Sequence, residues 1–68
     1  MTYKLDLTNL TEEQRGDVSQ RLHELQDTCL DLESRVDGTI VGTVAGNMPG
    51  LTAEILQKKG FNVSVVLD

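Results

Sequence analysis

Apolar and polar residues alternate at the start of the chain: Tyr3, Leu5 and Leu7 take one side of an extended segment, and Lys4, Asp6 and Thr8 take the other. A period of two marks a half-buried strand. The pattern then changes. Leu10 precedes Thr11-Glu12-Glu13-Gln14, a capping box in which the threonine hydroxyl accepts an orphan helix amide and the glutamine reaches back to the cap. Val18, Leu22 and Leu25, with Cys29 at the next step, recur at helical spacing, while Arg15, Asp17, Gln20, Arg21 and Glu24 form the solvated side. Gly16 weakens this helix by about 1 kcal/mol relative to alanine, or else permits a close backbone approach. Leu30, Leu32 and Val36 then share one parity, and Asp31, Glu33 and Arg35 the other, which predicts a second amphipathic strand.

Asp37-Gly38 predicts a two-residue hairpin, since glycine tolerates the positive φ of a tight turn. The third strand runs over 39–45, with Ile40 and Val44 inward and Gly42 between them. A glycine inside a strand marks a bulge or a tightly packed helix. Asn47-Met48-Pro49-Gly50 opens a second helix, with Asn47 or Met48 as the cap and Pro49 in the first turn. Leu51, Ile55 and Leu56 are its predicted core face. Lys58 and Lys59 suit the carboxyl end, and Gly60 supplies a left-handed stop. Phe61, Val63, Val65 and Leu67 alternate with Asn62, Ser64 and Val66 as the last strand.

The order strand, helix, strand, strand, helix, strand predicts one α+β domain over residues 1–68, a ferredoxin-like βαββαβ two-layer sandwich. Its four-stranded antiparallel sheet takes the order 4-1-3-2, with two helices on one face and strands 2 and 4 at the edges. The other face, with Lys4, Asp6, Asp31, Glu33, Arg35, Thr43 and Ser64 beside Val41 and Val66, is left open to solvent.

Charge narrows the uses of this scaffold. Eleven acidic residues against six basic ones give a net charge of −5, whereas nucleic-acid binders carry basic patches that neutralise phosphate. Tyr3 and Phe61 are the only aromatics, too few for a base-stacking sheet. No apolar run approaches the roughly 20 residues of a membrane span, and the charged start at Lys4 and Asp6 is unlike a signal peptide. Cys29 is the single cysteine, which excludes an intrachain disulfide and suits a reducing compartment. The expectation is a cytoplasmic protein, with no nucleic acid and no membrane among its partners.

Candidate chemistry is sparse. Cys29 and His23 lack the further soft ligands of a zinc or copper site. Asp6, Asp31 and Glu33 share the open face, where a hard cation could bind but where Lys4 and Arg35 would also neutralise them. Thr8, Asn9 and Asn47 lie near helix starts, where their capping role accounts for them. No serine–histidine–aspartate or cysteine–histidine arrangement is present, so no catalytic residue, no metal ligand and no cofactor is assigned.

Two stretches resemble known families. Ile55-Leu56-Gln57-Lys58-Lys59-Gly60-Phe61-Asn62-Val63 is similar to the second helix and last strand of heavy-metal-associated domains, the small copper chaperones, whose element order matches the whole chain. Those domains bind soft metal through a Gly-Met-x-Cys-x-x-Cys loop before the first helix. Here that loop is Asn9-Leu10-Thr11-Glu12-Glu13-Gln14-Arg15: Leu10 replaces the methionine, and Glu12 and Arg15 stand in place of the cysteines. The resemblance implies the fold without the thiolate site. Asn47-Met48-Pro49-Gly50-Leu51-Thr52-Ala53-Glu54-Ile55-Leu56 is similar to the loop–helix signature of ACT domains, although Asn47 replaces the acid and the motif falls in the second half. That resemblance implies a small-ligand site at a homodimer interface, with Asn47, Gly50 and Leu51 as its candidate binding residues. The leading expectation is a non-enzymatic binding or interaction module with a protein partner, docked at the open sheet face or an edge strand. The alternative is an ACT-like regulatory homodimer.

Overall fold

A computed structural model describes residues 1–67. It contains β1 (Thr2–Asp6), α1 (Glu12–Glu24), β2 (Thr28–Ser34), β3 (Ile40–Ala45), α2 (Pro49–Lys58) and β4 (Ser64–Val66). The strands form one antiparallel sheet in the order β2-β3-β1-β4, which is the expected order read from the opposite edge. The fold is a ferredoxin-like α+β sandwich. Its core is a single cluster of Leu5, Leu7, Leu10, Val18, Leu22, Val44, Ala53, Leu56 and Val63. The expected capping box is present: Thr11 Oγ1 accepts from the Gln14 amide at 3.1 Å, and Gln14 Oε1 accepts from the Thr11 amide at 3.0 Å.

Several local expectations are corrected. The registers Cys29↔Val44 and Asp31↔Thr43 are joined by a bulge, which leaves Leu30 as the extra residue. A bulge breaks the period of two. Cys29 and Leu32 therefore share the helix side with Val44 and Gly42, while Leu30 is 58% exposed. Leu30, Leu32 and Val36 do not form one buried set. Cys29 belongs to β2 and extends no helical stripe. The hairpin has three residues: the Arg35 amide donates to Thr39 O at 2.8 Å and the Gly38 amide to Arg35 O at 3.0 Å, with Gly38 left-handed at φ 90°. That is a turn closed by a left-handed residue, and Val36 is fully exposed at its tip. Thr39 donates to Asp37 from both its hydroxyl and its amide, which holds that carboxyl below the usual carboxylate value.

In α2 the buried face is Thr52, Ala53 and Leu56, whereas Leu51 is exposed and Ile55 half-buried. The helix is rotated from the expected face because the Thr52 hydroxyl is drawn inward onto Asp27. The last strand is short: its pairing with β1 ends at Lys4↔Val66, so Leu67 lies exposed beyond it. Val41, on the face away from the helices, is only 2% exposed. Its cross-strand partners are Asp6 on β1 and Glu33 on β2.

Both helices close with the same hydrogen-bonded turn. After α1, the Asp27 amide donates to Leu22 O at 2.8 Å and the Gln26 amide to His23 O at 3.0 Å; after α2, the Phe61 amide donates to Leu56 O at 3.1 Å and the Gly60 amide to Gln57 O at 3.0 Å. This motif needs a left-handed residue. Gly60 supplies it as expected, at φ 95°, but α1 uses Gln26, at φ 66°. A side chain in that region costs about 1–2 kcal/mol, partly offset by the greater entropy that a glycine loses on folding. Gln26→Gly is expected to stabilise the protein by about 1 kcal/mol, raising the urea midpoint without changing the slope of the transition.

Candidate functional site

Helix α1 packs over the β2 side of the sheet, and α2 over the β4 side. β2 is the outer strand, so the rim of α1 and the helix-side residues of β2 bound a groove that opens at the sheet edge. Beneath it lie the core residues Leu5, Leu7, Val18, Leu22 and Val44, each 3% exposed or less; its walls are Glu12, Arg15, Gly16 and Ser19 on α1, and Cys29 and Leu32 on β2. The groove encloses about 470 Å³, within the usual range of ligand clefts. Gly16 on its wall is exposed, and a Cβ placed there would meet nothing within 4 Å. Leu32, 49% exposed, forms its outer lip. Glu12 and Arg15, which occupy the positions of the metal-binding cysteines in the heavy-metal-associated resemblance, stand on its rim. Arg15 is tethered through Nη1 to Leu10 O at 2.8 Å. The motif positions of that resemblance thus sit beside an apolar groove.

A second feature was not anticipated from sequence. Asp27 is 7% exposed, and its Oδ2 accepts from the Tyr3 hydroxyl at 2.6 Å and from the Thr52 hydroxyl at 3.2 Å. The one available signal was Tyr3 on the inward parity of β1, because a buried phenol hydroxyl needs a partner. The carboxylate lies against Gly46, where an added Cβ would stand 2.5 Å from it. The cluster ties β1, the turn after α1 and α2 together. Burial first, then the hydrogen bond to Asp27, raises the Tyr3 phenol well above its ordinary value.

The sequence candidates at the start of α2 are only partly brought together. Asn47 and Leu51 border a cleft of about 260 Å³ with Met48, Asp27 and Thr52. Gly50 does not line it. Met48 is the N-cap residue and provides no side-chain cap, so capping does not account for Asn47. Thr8 is not simply a cap either, because its hydroxyl oxygen accepts from the Ile40 amide at 3.0 Å. On the open face, β3 separates Asp6 on β1 from Asp31 and Glu33 on β2, about 9–10 Å across two strand spacings. Asp6 Oδ1 accepts from the Thr8 amide at 2.9 Å, and Glu33 pairs with Arg35 at 2.9 Å. Among the described residues, no three histidine, cysteine, aspartate or glutamate side chains come together as a metal site. His23 and Cys29 border one shallow depression, but Cys29 Sγ contacts Asp31 O at 3.6 Å. No described helix is long and apolar enough to cross a membrane.

Comparison with protein-family models, with curated proteins and with solved structures finds no match to this chain.

Gly46→Ala is expected to cost about 1–3 kcal/mol, since it displaces a carboxylate held by two hydrogen bonds; chemical denaturation measures this. Alkali gives a second check. A folded-state pKa raised above the unfolded value means that the neutral phenol stabilises the fold. That stabilisation is complete below about pH 10, the ordinary phenol value, and is lost as pH rises toward the folded-state value. The wild-type protein should therefore lose stability above about pH 10 in a step that Tyr3→Phe removes.

Proposed function

We propose that this protein is a non-enzymatic interaction module that captures an extended segment of another protein along β2. The observation that supports this best is the edge itself. β2 is seven residues long, has a neighbour on one side only, and exposes Leu30 and, on the lip of the groove, Leu32. Sheet edges commonly shield themselves with charge, shortness or bulges. Here the bulge is confined to the Cys29–Asp31 step, and Asp31–Ser34 runs regularly beyond it. An added strand would form main-chain hydrogen bonds to that stretch and place alternate side chains on the helix side. The fold and the stretch 55–63 support kinship with heavy-metal-associated domains, in a form where Thr11-Glu12-Glu13-Gln14 caps a helix in place of a thiolate loop. With its unpaired cysteine, the module fits the cytoplasm.

A second reading is an ACT-like homodimer with a small ligand in the cleft bordered by Asn47, Met48 and Leu51. It is supported by the absence of a side-chain cap on α2. Sedimentation at millimolar concentration separates the two readings: a monomer is expected here, and a dimer would favour the alternative.

The probe for the main reading is a synthetic peptide, Lys-Val-Lys-Phe-Lys-Val-Lys, with versions N-methylated along one backbone edge or the other. One methylated version should bind as the parent does and the other should lose binding, because a paired strand uses only one edge of its backbone. Equal binding by both, or none by the parent peptide, would contradict strand addition.

A further inference from the structure

We propose that the Asp37-Gly38 unit is a latent site of isoaspartate formation, and that the native hairpin suppresses the reaction through Thr39. In this covalent change the Gly38 nitrogen attacks Asp37 Cγ. The N–Cγ bond forms, and the carboxyl hydroxyl leaves with the amide proton as water, giving a five-membered imide. Water then adds at the main-chain carbonyl of the imide, and opening there leaves the backbone running through Cγ. One water leaves and one returns, so the mass is unchanged and no other reactant is needed. A side chain on the attacking residue hinders the first step, and glycine has none. Asp37 is the one aspartate or asparagine followed by glycine; the others within the chain precede leucine, valine, threonine or methionine. The fold depends on that glycine, because the turn holds residue 38 at φ 90°, where a side chain is strained. Asp37 and Gly38 are both exposed at the hairpin tip, so water reaches them.

The same turn withholds both reacting groups. The Gly38 amide donates to Arg35 O at 3.0 Å. Asp37 Oδ1 accepts from the Thr39 hydroxyl at 2.7 Å and from the Thr39 amide at 3.0 Å. Those two bonds favour the ionised carboxylate, the form with no hydroxyl to lose. Attack needs the Gly38 amide freed from Arg35 and the carboxyl freed from Thr39 and protonated. In the folded protein the reaction therefore waits on local opening of the hairpin. Conversion adds one backbone carbon to the loop between β2 and β3, which the Arg35 amide closes by donating to Thr39 O at 2.8 Å, and so loosens that closure.

The test is prolonged incubation of the intact protein at body temperature and near-neutral pH, followed by peptide mapping, in which the isomer keeps its mass but separates on chromatography. The peptides Ser-Arg-Val-Asp-Gly-Thr-Ile and Ser-Arg-Val-Asp-Gly-Val-Ile give the rates without the fold. The wild-type protein should convert Asp37 about tenfold more slowly than its peptide. Thr39→Val, shown to be folded by circular dichroism and its urea midpoint, should recover much of its peptide's rate. Thr39→Ser keeps the hydroxyl and should stay as slow as the wild type. Conversion of the folded wild type as fast as its peptide, no conversion in either peptide, or equal rates for the wild type and Thr39→Val would each overturn the proposal.

Discussion

Two helices of thirteen and ten residues cover the apolar face of a four-stranded sheet, and the area they leave uncovered faces water unless something else covers it. α1 secures the interior through Val18 and Leu22, which are almost fully buried. It does not close the β2 side: its rim residues Glu12, Arg15, Gly16 and Ser19 stand over a groove. The bulge in β2 sharpens the effect. It turns Leu30 away from the core and leaves Leu32 as a half-exposed lip. The same coverage that makes the core makes the edge available.

The end of the sandwich where α1 passes into β2 is closed by a polar device. Asp27 follows the left-handed Gln26, in the position where a helix-terminating turn often places an apolar residue. The buried carboxylate is supported by the Tyr3 and Thr52 hydroxyls, as a buried acid must be by some partner. Gly46 is needed so that the chain leaving β3 can pass this close. The network fixes the end of α1 and the rotation of α2 relative to β1, and so holds α1 in the position that shapes the groove.

Much of the architecture was legible from local pattern. Tyr3-Leu5-Leu7 and Ile40-Val44 have the strand period, and Thr11 with Gln14 and Gly60 are capping signals with a mechanism. What was not legible is nonlocal. The bulge at Leu30 depends on pairing with β3, and no parity count within β2 exposes it. The inward turn of Thr52 depends on Asp27, twenty-five residues away, which a helical pattern cannot weigh against Leu51. Of the sequence candidates at the start of α2, Asn47 and Leu51 share a cleft and Gly50 lies outside it. The groove was invisible because it consists of the space between elements, and its one sequence trace was Gly16, which reads equally as a simple helix weakness.

The central claim is that β2 is a docking edge. Amide hydrogen exchange followed by NMR, with and without the peptide Lys-Val-Lys-Phe-Lys-Val-Lys, tests it most directly. Strand addition predicts that exchange slows at alternate amides of Asp31–Ser34, those directed away from β3, while β4 and the Asn47–Leu51 loop are unchanged. Slowing confined to that loop or to β4, with β2 exchanging as it does alone, would contradict the account.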